Sequence, residues 1–170
     1  MVCGYRLVLP PGWGRIPLRE GTEDAIRVIV REAFDGSRGD RVAQVRVRLE
    51  GRLQELAVRA RRDGAGLDLY LPVRPRGAAA PVPASFVMSE LALEGRKERR
   101  EYVAGESRRV DYVLPVPDAP GRCLAAAFST PTATADHQLA DVMVELFDAV
   151  MGTFRWSEPD DADPTHRPSG

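Results

Sequence analysis

The stretch from Arg108 to Trp156 constrains the fold more than any other part of the chain. Val110, Tyr112, Leu114 and Val116 fall on every second position, the signature of a strand with one buried face. Asp118-Ala119-Pro120-Gly121 is turn chemistry, and Cys123–Ser129 reads as the strand that returns from it. Pro131 ends that strand. Leu139, Met143, Leu146, Val150 and Phe154 then recur at helical spacing, with Val142 and Phe147 flanking them. One long amphipathic helix is therefore predicted to end in Phe154-Arg155-Trp156, with Asp141, Glu145 and Asp148 on its wet side. Strand, tight turn, strand and closing helix predict an α+β fold, an α/β sandwich in which a mostly antiparallel sheet is covered by helices.

The upstream half supplies the remaining layers. Tyr5, Leu7 and Leu9 alternate until Pro10-Pro11-Gly12 stops them, and Trp13, Ile16 and Leu18 resume as a second short extended piece. Thr22 is expected to cap a helix, with Glu23 and Asp24 at the positive end of its dipole. Ile26, Ile29, Val30, Ala33 and Phe34 give that helix one apolar stripe, and Gly36 and Gly39 end it. Asp40 is expected to cap a second helix, whose Val42, Val45, Leu49, Leu53, Leu56 and Ala60 share a face. Residues 45–49 also alternate like a strand, so the start of this helix has two readings.

From Gly64 the period becomes two, with Leu67, Leu69, Leu71 and Val73 opposed to Asp68, Tyr70 and Pro72. Pro75 to Pro83 reads as a loop, and residues 84–93 as a strand with Phe86 and Met88 on one face. Glu94 to Glu101 is predicted as a charged connection leading through Tyr102-Val103 to a turn at Ala104-Gly105-Glu106-Ser107. Past Trp156, the segment SEPDDADPTHRPSG has no large apolar side chain to bury and is predicted to be disordered. The expected organisation is one domain over residues 1–156 and a tail over 157–170.

Composition excludes several classes. A formal net charge of −1 gives no global field that would draw the chain to nucleic acid or to an anionic membrane. Of the 24 basic residues only Lys97 is lysine, which with abundant Ala, Gly and Pro points to a high-G+C bacterial genome more than to a function. Arg46, Arg48, Arg52, Arg59 and Arg62 are interleaved with Glu50 and Glu55 and have no aromatic companions, so they read as a solvated helix face. No segment approaches the roughly 20 apolar residues of a membrane span. Arg6 is the only charge near the N-terminus and prolines break its apolar run, so no signal peptide and a cytoplasmic location are expected. Cys3 and Cys123 do not make a disulfide framework and are expected to be free thiols.

Catalytic constellations are missing from the sequence. The two histidines, His137 and His166, have no ligand at zinc spacing, and no G-x-S-x-G elbow accompanies them. Neither a phosphate-binding P-loop nor a dinucleotide-binding glycine motif occurs. Asp160, Asp161 and Asp163 lack the glycine and terminal glutamate of a calcium loop. No catalytic, cofactor-binding or metal-ligating residue is therefore predicted, and no cofactor. Trp13 and Trp156 are expected to pack into the core or on one another, the alternative being that they line a ligand groove.

An opening strand with Pro11-Gly12-Trp13, a helical insertion, a run of antiparallel strands and a closing helix resemble the PsbP-like α/β/α sandwich. That fold is shared by photosystem oxygen-evolving subunits, a Ran-binding nuclear import factor, mycobacterial LpqN-type lipoproteins and bacterial type VI effector chaperones. The run VDYVLPVP…AFSTP…LFDAVMGTFRW is also similar to small actinobacterial proteins. The resemblance covers about residues 5–156 and implies binding, scaffolding or chaperoning; no functional residue carries over, because no functional motif matches. The chain departs from the pattern in lacking a lipobox, and in a short, charged region 94–107 where a full strand is usual.

The function expected from these readings is a non-enzymatic protein-binding or adaptor module, linked to secretion or assembly. Its partner would be an unidentified protein, with no nucleic acid and no membrane, and its docking edge would lie around Gly95–Ser107 with Arg96, Arg99 and Arg100. The same charges also fit a guard against self-association. The alternative function is a small-molecule or lipid-binding domain with a pocket between the C-terminal helix and the sheet, where Trp13 and Trp156 would be groove aromatics.

Overall fold

The computed structural model describes residues 4–36, 39–61, 66–73, 84–132 and 137–157. The loop at Pro75–Pro83, the thiol of Cys3, His166 and the tail from 158 onward lie outside the described residues. In chain order the elements are β1 (Gly4–Arg6), β2 (Trp13–Pro17), α1 (Thr22–Ala33), α2 (Asp40–Arg61), β3 (Gly66–Pro72), β4 (Ser85–Leu91), β5 (Glu98–Ala104), β6 (Ser107–Pro115), β7 (Cys123–Pro131), α3 (His137–Gly152) and β8 (Arg155–Ser157). Six strands form one antiparallel sheet in the order β2-β3-β4-β7-β6-β5, and β1 pairs with β8 as a separate ribbon. The fold is α+β, a mostly antiparallel sheet with helices packed against it.

One face of the sheet packs on α3. Alternation brings Phe86 and Met88 of β4, Val110 and Leu114 of β6, and Leu124, Ala126 and Phe128 of β7 to that face. Phe147 sits at its centre, its ring 4.9 Å from Phe128, 5.1 Å from Phe86 and 5.7 Å from Tyr112. Each large apolar side chain buried here contributes about 1.5–3 kcal/mol.

The buried stripe of α3 is Ala140, Met143, Val144, Phe147, Val150 and Met151, turned from the predicted one. Leu139 and Val142 are exposed instead, because this rotation is the one that buries the Phe147 ring. The helix also stops earlier than its apolar spacing predicts. Gly152 is its last residue, and Thr153 and Phe154 donate backbone bonds to Val150 and Met151 in a tightened final turn. The Thr153 hydroxyl donates to the Val150 carbonyl at 2.6 Å and accepts the Val8 N–H at 2.9 Å. Arg155–Ser157 then leave as a strand, with Trp156 opposite Tyr5.

The other face carries α1 and α2 over β2 and β3. Ile16, Leu18, Leu69 and Leu71 meet Ile26, Ile29 and Val30 of α1 and Leu53 and Ala57 of α2. Gly14 permits the close approach of α1: a Cβ there would lie 2.9 Å from the Ile29 side chain. Residues 45–49 are helical, and Val45 is exposed, since only the C-terminal half of α2 reaches the sheet. Thr22 is the first residue of α1 and does not cap it; Gly21, at φ 74°, holds that position. The Thr22 hydroxyl instead donates to the Pro17 carbonyl at 2.6 Å and accepts from Arg61.

The segment read as a charged connection is a strand. Glu98–Ala104 forms seven consecutive pairs with β6, from Glu98 opposite Val113 to Ala104 opposite Ser107. Its closing turn is Gly105-Glu106, with Gly105 at φ 59° and Glu106 on the ordinary negative side, the pattern of a type II′ hairpin.

Candidate functional site

The strand order leaves β2 and β5 at the two edges of the sheet. β2 has five residues and ends in Pro17, which carries no N–H, so that edge is blunted. β5 has seven residues, and no described strand pairs with its outer side. A type II′ turn closes on a hydrogen-bonded Ala104–Ser107 pair. Counting back by twos, Arg99, Glu101 and Val103 turn their backbone N–H and C=O groups away from β6.

The charges on β5 lie on its two faces and are matched there. On the α3 side, Arg99 grips Asp148 with two bonds, Nε to Oδ1 at 2.9 Å and Nη2 to Oδ2 at 2.8 Å. Its Nη2 also donates to Glu101 at 2.9 Å, and the Tyr112 hydroxyl donates to Asp148 Oδ1 at 2.8 Å. Arg108 donates to Glu101 Oε1 from Nε at 2.7 Å and pairs with Asp141 of α3. On the opposite face Arg100 forks onto Glu98 at 2.8 and 3.0 Å, and Tyr102 donates to Asp111 at 2.8 Å. The bonds from Arg108 and then Arg99 hold the Glu101 carboxyl below the usual range, and those from Arg100 do the same for Glu98. Burial, followed by the bond to Asp148, pushes the Tyr112 phenol up.

The three arginines singled out from the sequence do not form one patch. Arg99 is held against α3, Arg100 lies on the other face, and Arg96 precedes the strand, where its charge helps to lower Glu98. Two of the three helix carboxylates read as solvent-facing tie α3 to the sheet, Asp148 through Arg99 of β5 and Asp141 through Arg108 of β6. Glu145 is exposed.

Trp13 is half-buried on β2 with its ring 5.9 Å from Phe86, and Trp156 meets Phe154 edge-on at 4.9 Å. Both rings pack at the margin of the core beneath α3. The space between that helix and the sheet is filled by Phe86, Phe128 and Phe147, each nearly inaccessible to solvent. An open groove of about 660 Å³ lies instead on the outer side of α1 and α2, lined by Val28, Val47 and Ala43 with Arg27, Arg31 and Arg46.

A buried polar cluster escaped the sequence reading. Asp68 is 3% exposed; its two oxygens accept from the Tyr5 hydroxyl and, at 2.7 Å, from Arg15 Nε. The Tyr5 and Tyr70 hydroxyls are 3.2 Å apart. Burial first, then Tyr70 and Asp68, raise the Tyr5 phenol far above its ordinary value; burial also raises Tyr70. With both carboxylate oxygens engaged, the cluster ties the β1–β8 ribbon to the sheet. The signal available in the sequence is Asp68 sharing its strand face with the large ring of Tyr70.

Cys123 is buried as a free thiol, its Sγ donating to the Leu93 carbonyl at 3.4 Å. Among the described residues no three His, Cys, Asp or Glu side chains are grouped to hold a metal ion. No described helix is long and apolar enough to cross a membrane. No protein-family model, curated protein or solved structure matches the chain.

Proposed function

We propose that the chain is a non-enzymatic protein-binding module that takes up an extended segment along the outer edge of β5. One observation carries this reading. The seven-residue edge has its charges matched on the faces, while the backbone groups of Arg99, Glu101 and Val103 point outward with no described strand against them. Such an edge adds a strand through main-chain bonds and selects it through alternate side chains. The binding and chaperoning roles implied by the PsbP-like resemblance support the same reading, as does the match of Trp13 and Trp156 to core packing. A cytoplasmic setting and a role in secretion or assembly belong to the proposal, the former in keeping with the free Cys123 thiol.

Val103→Pro tests it, because proline removes one outward N–H while keeping an extended backbone. A partner is first identified by native pull-down with the wild-type chain, then purified and titrated against both forms. At least a tenfold loss of affinity in the folded Val103→Pro variant, with Val103→Thr unchanged, is the expected result. Equal affinity of Val103→Pro and wild type rules the edge out.

A further inference from the structure

We infer that the segment seated on β5 is β5 of a second copy, paired antiparallel about a two-fold axis at Arg100. The inference rests on the docking-edge reading above and names its occupant. Antiparallel partners share a face, so a two-fold axis perpendicular to the sheet passes midway between one residue of the strand and the same residue of the second copy. Three centres lie near the middle of its charged run.

An axis at Glu101 opposes two glutamates, and an axis at Arg99 opposes two arginines. Both residues are fixed by neighbours on the α3 side, with side chains only 29% and 34% exposed, so neither pair can swing apart. An axis at Arg100 places the like charges on the side chain that is 68% exposed and already forked onto Glu98. It also sets Arg99 opposite Glu101 of the second copy, and the reverse, on the α3 face. Oppositely charged cross-strand pairs stabilise a sheet, whereas like charges directly opposite destabilise it.

The backbone selects the same centre. Arg99 and Glu101 both turn their N–H and C=O groups outward, so this register makes them hydrogen-bonded pairs with about four bonds across the junction. Exposed Tyr102 and Val103 gain cover, Tyr102 opposite Glu98 and Val103 opposite the Lys97 stem of the second copy. The two six-stranded sheets become one continuous sheet.

Sedimentation equilibrium of the full chain between about 1 and 100 μM is the primary test, with a mass rising toward twice that of the chain expected. Register is read in a Cys3→Ser background by oxidative cross-linking. Residues on the axis form a non-hydrogen-bonded pair with Cα atoms about 4.5 Å apart, within disulfide range. Arg100→Cys is therefore expected to cross-link to itself, and Glu98→Cys and Glu101→Cys are not. A constant monomer mass overturns the inference, as does self-cross-linking of Glu101→Cys in place of Arg100→Cys. If the chain is monomeric but Val103→Pro still loses a different protein, only the second-copy assignment fails and the docking edge stands.

Discussion

Arg99 of the edge strand and Asp148 of the closing helix form a two-bond fork, Nε to Oδ1 and Nη2 to Oδ2, at 2.9 and 2.8 Å. The fork joins the last strand of the sheet to α3, and Tyr112 completes it from β6. Asp148→Ala removes both partners' acceptor at once and is expected to lower stability by about 1–2 kcal/mol. Arg99→Lys keeps the charge and loses the planar fork, so it recovers only part of that loss. Urea midpoints of the three proteins check the order. The same fork makes a combined reversal of Arg96, Arg99 and Arg100 an ambiguous test of docking, since it would also detach α3 from the edge.

Phe147, not Leu139, anchors α3. Phe147→Ala leaves a cavity among Phe86, Phe128 and Tyr112 and is expected to cost about 3–5 kcal/mol, whereas Leu139→Ala stays within about 0.5 kcal/mol. Thermal or urea unfolding separates the two. Equal losses would restore the stripe through Leu139.

Gly66 is a second packing point. A Cβ there would stand 2.7 Å from the Ala60 carbonyl oxygen, a backbone atom that cannot rotate away. Gly66→Ala is expected to destabilise by about 1–3 kcal/mol by forcing α2 from β3. A neutral variant would show that the α2–β3 junction has slack.

The Tyr5–Asp68 bond gives the fold an alkaline limit. The Tyr5 phenol is raised in the folded state above its ordinary 10.0. Its contribution is therefore fully present below pH 10.0 and is lost as pH climbs toward the raised folded value, because the unfolded chain releases the proton first. Tyr5→Phe should be less stable at pH 7 by about 1–3 kcal/mol, since Asp68 loses a donor. The gap to wild type should narrow above pH 10, as measured by denaturant midpoints. A gap that widens with pH would contradict the assignment.

Glu101 gives the opposite dependence. Its folded value is depressed, so its contribution is present above the ordinary glutamate value of 4.5 and is lost as pH falls below it. Glu101→Gln should be less stable than wild type at pH 7, and the gap in denaturant midpoints should narrow as pH falls below 4.5.

What could be read from the sequence follows from which faces are buried. The β6–β7 hairpin and the stripe of α1 were legible because each has one apolar and one polar side, joined by residues with turn chemistry. β5 was not, because Arg99 and Glu101 on one face and Glu98 and Arg100 on the other erase any apolar alternation. Only pairing with β6 and contacts to α3 make it a strand. The end of α3 is not legible, since Phe154 continues the helical spacing while the pairing that turns Trp156 into a strand comes from Tyr5, far away in sequence. The role of Asp68 is hidden in the sequence because β3 alternates like a strand with one buried face. With helices over Leu69 and Leu71 and the ribbon over Asp68 and Tyr70, both of its faces are covered. The edge at Gly95–Ser107 is legible from its charge run, but Asp148, the partner of Arg99, is brought to it only by tertiary packing.

Backbone amide exchange along β5 tests the docking edge most directly. In the dilute chain the outward amides of Arg99, Glu101 and Val103 are expected to exchange fast, while Arg100 and Tyr102, bonded to β6, exchange slowly. Concentrating the chain, or saturating it with its purified partner, should slow the three outward amides by tenfold or more and leave α1 and α2 unchanged. If these three amides exchange at the same rate free and bound, β5 is not where the partner docks.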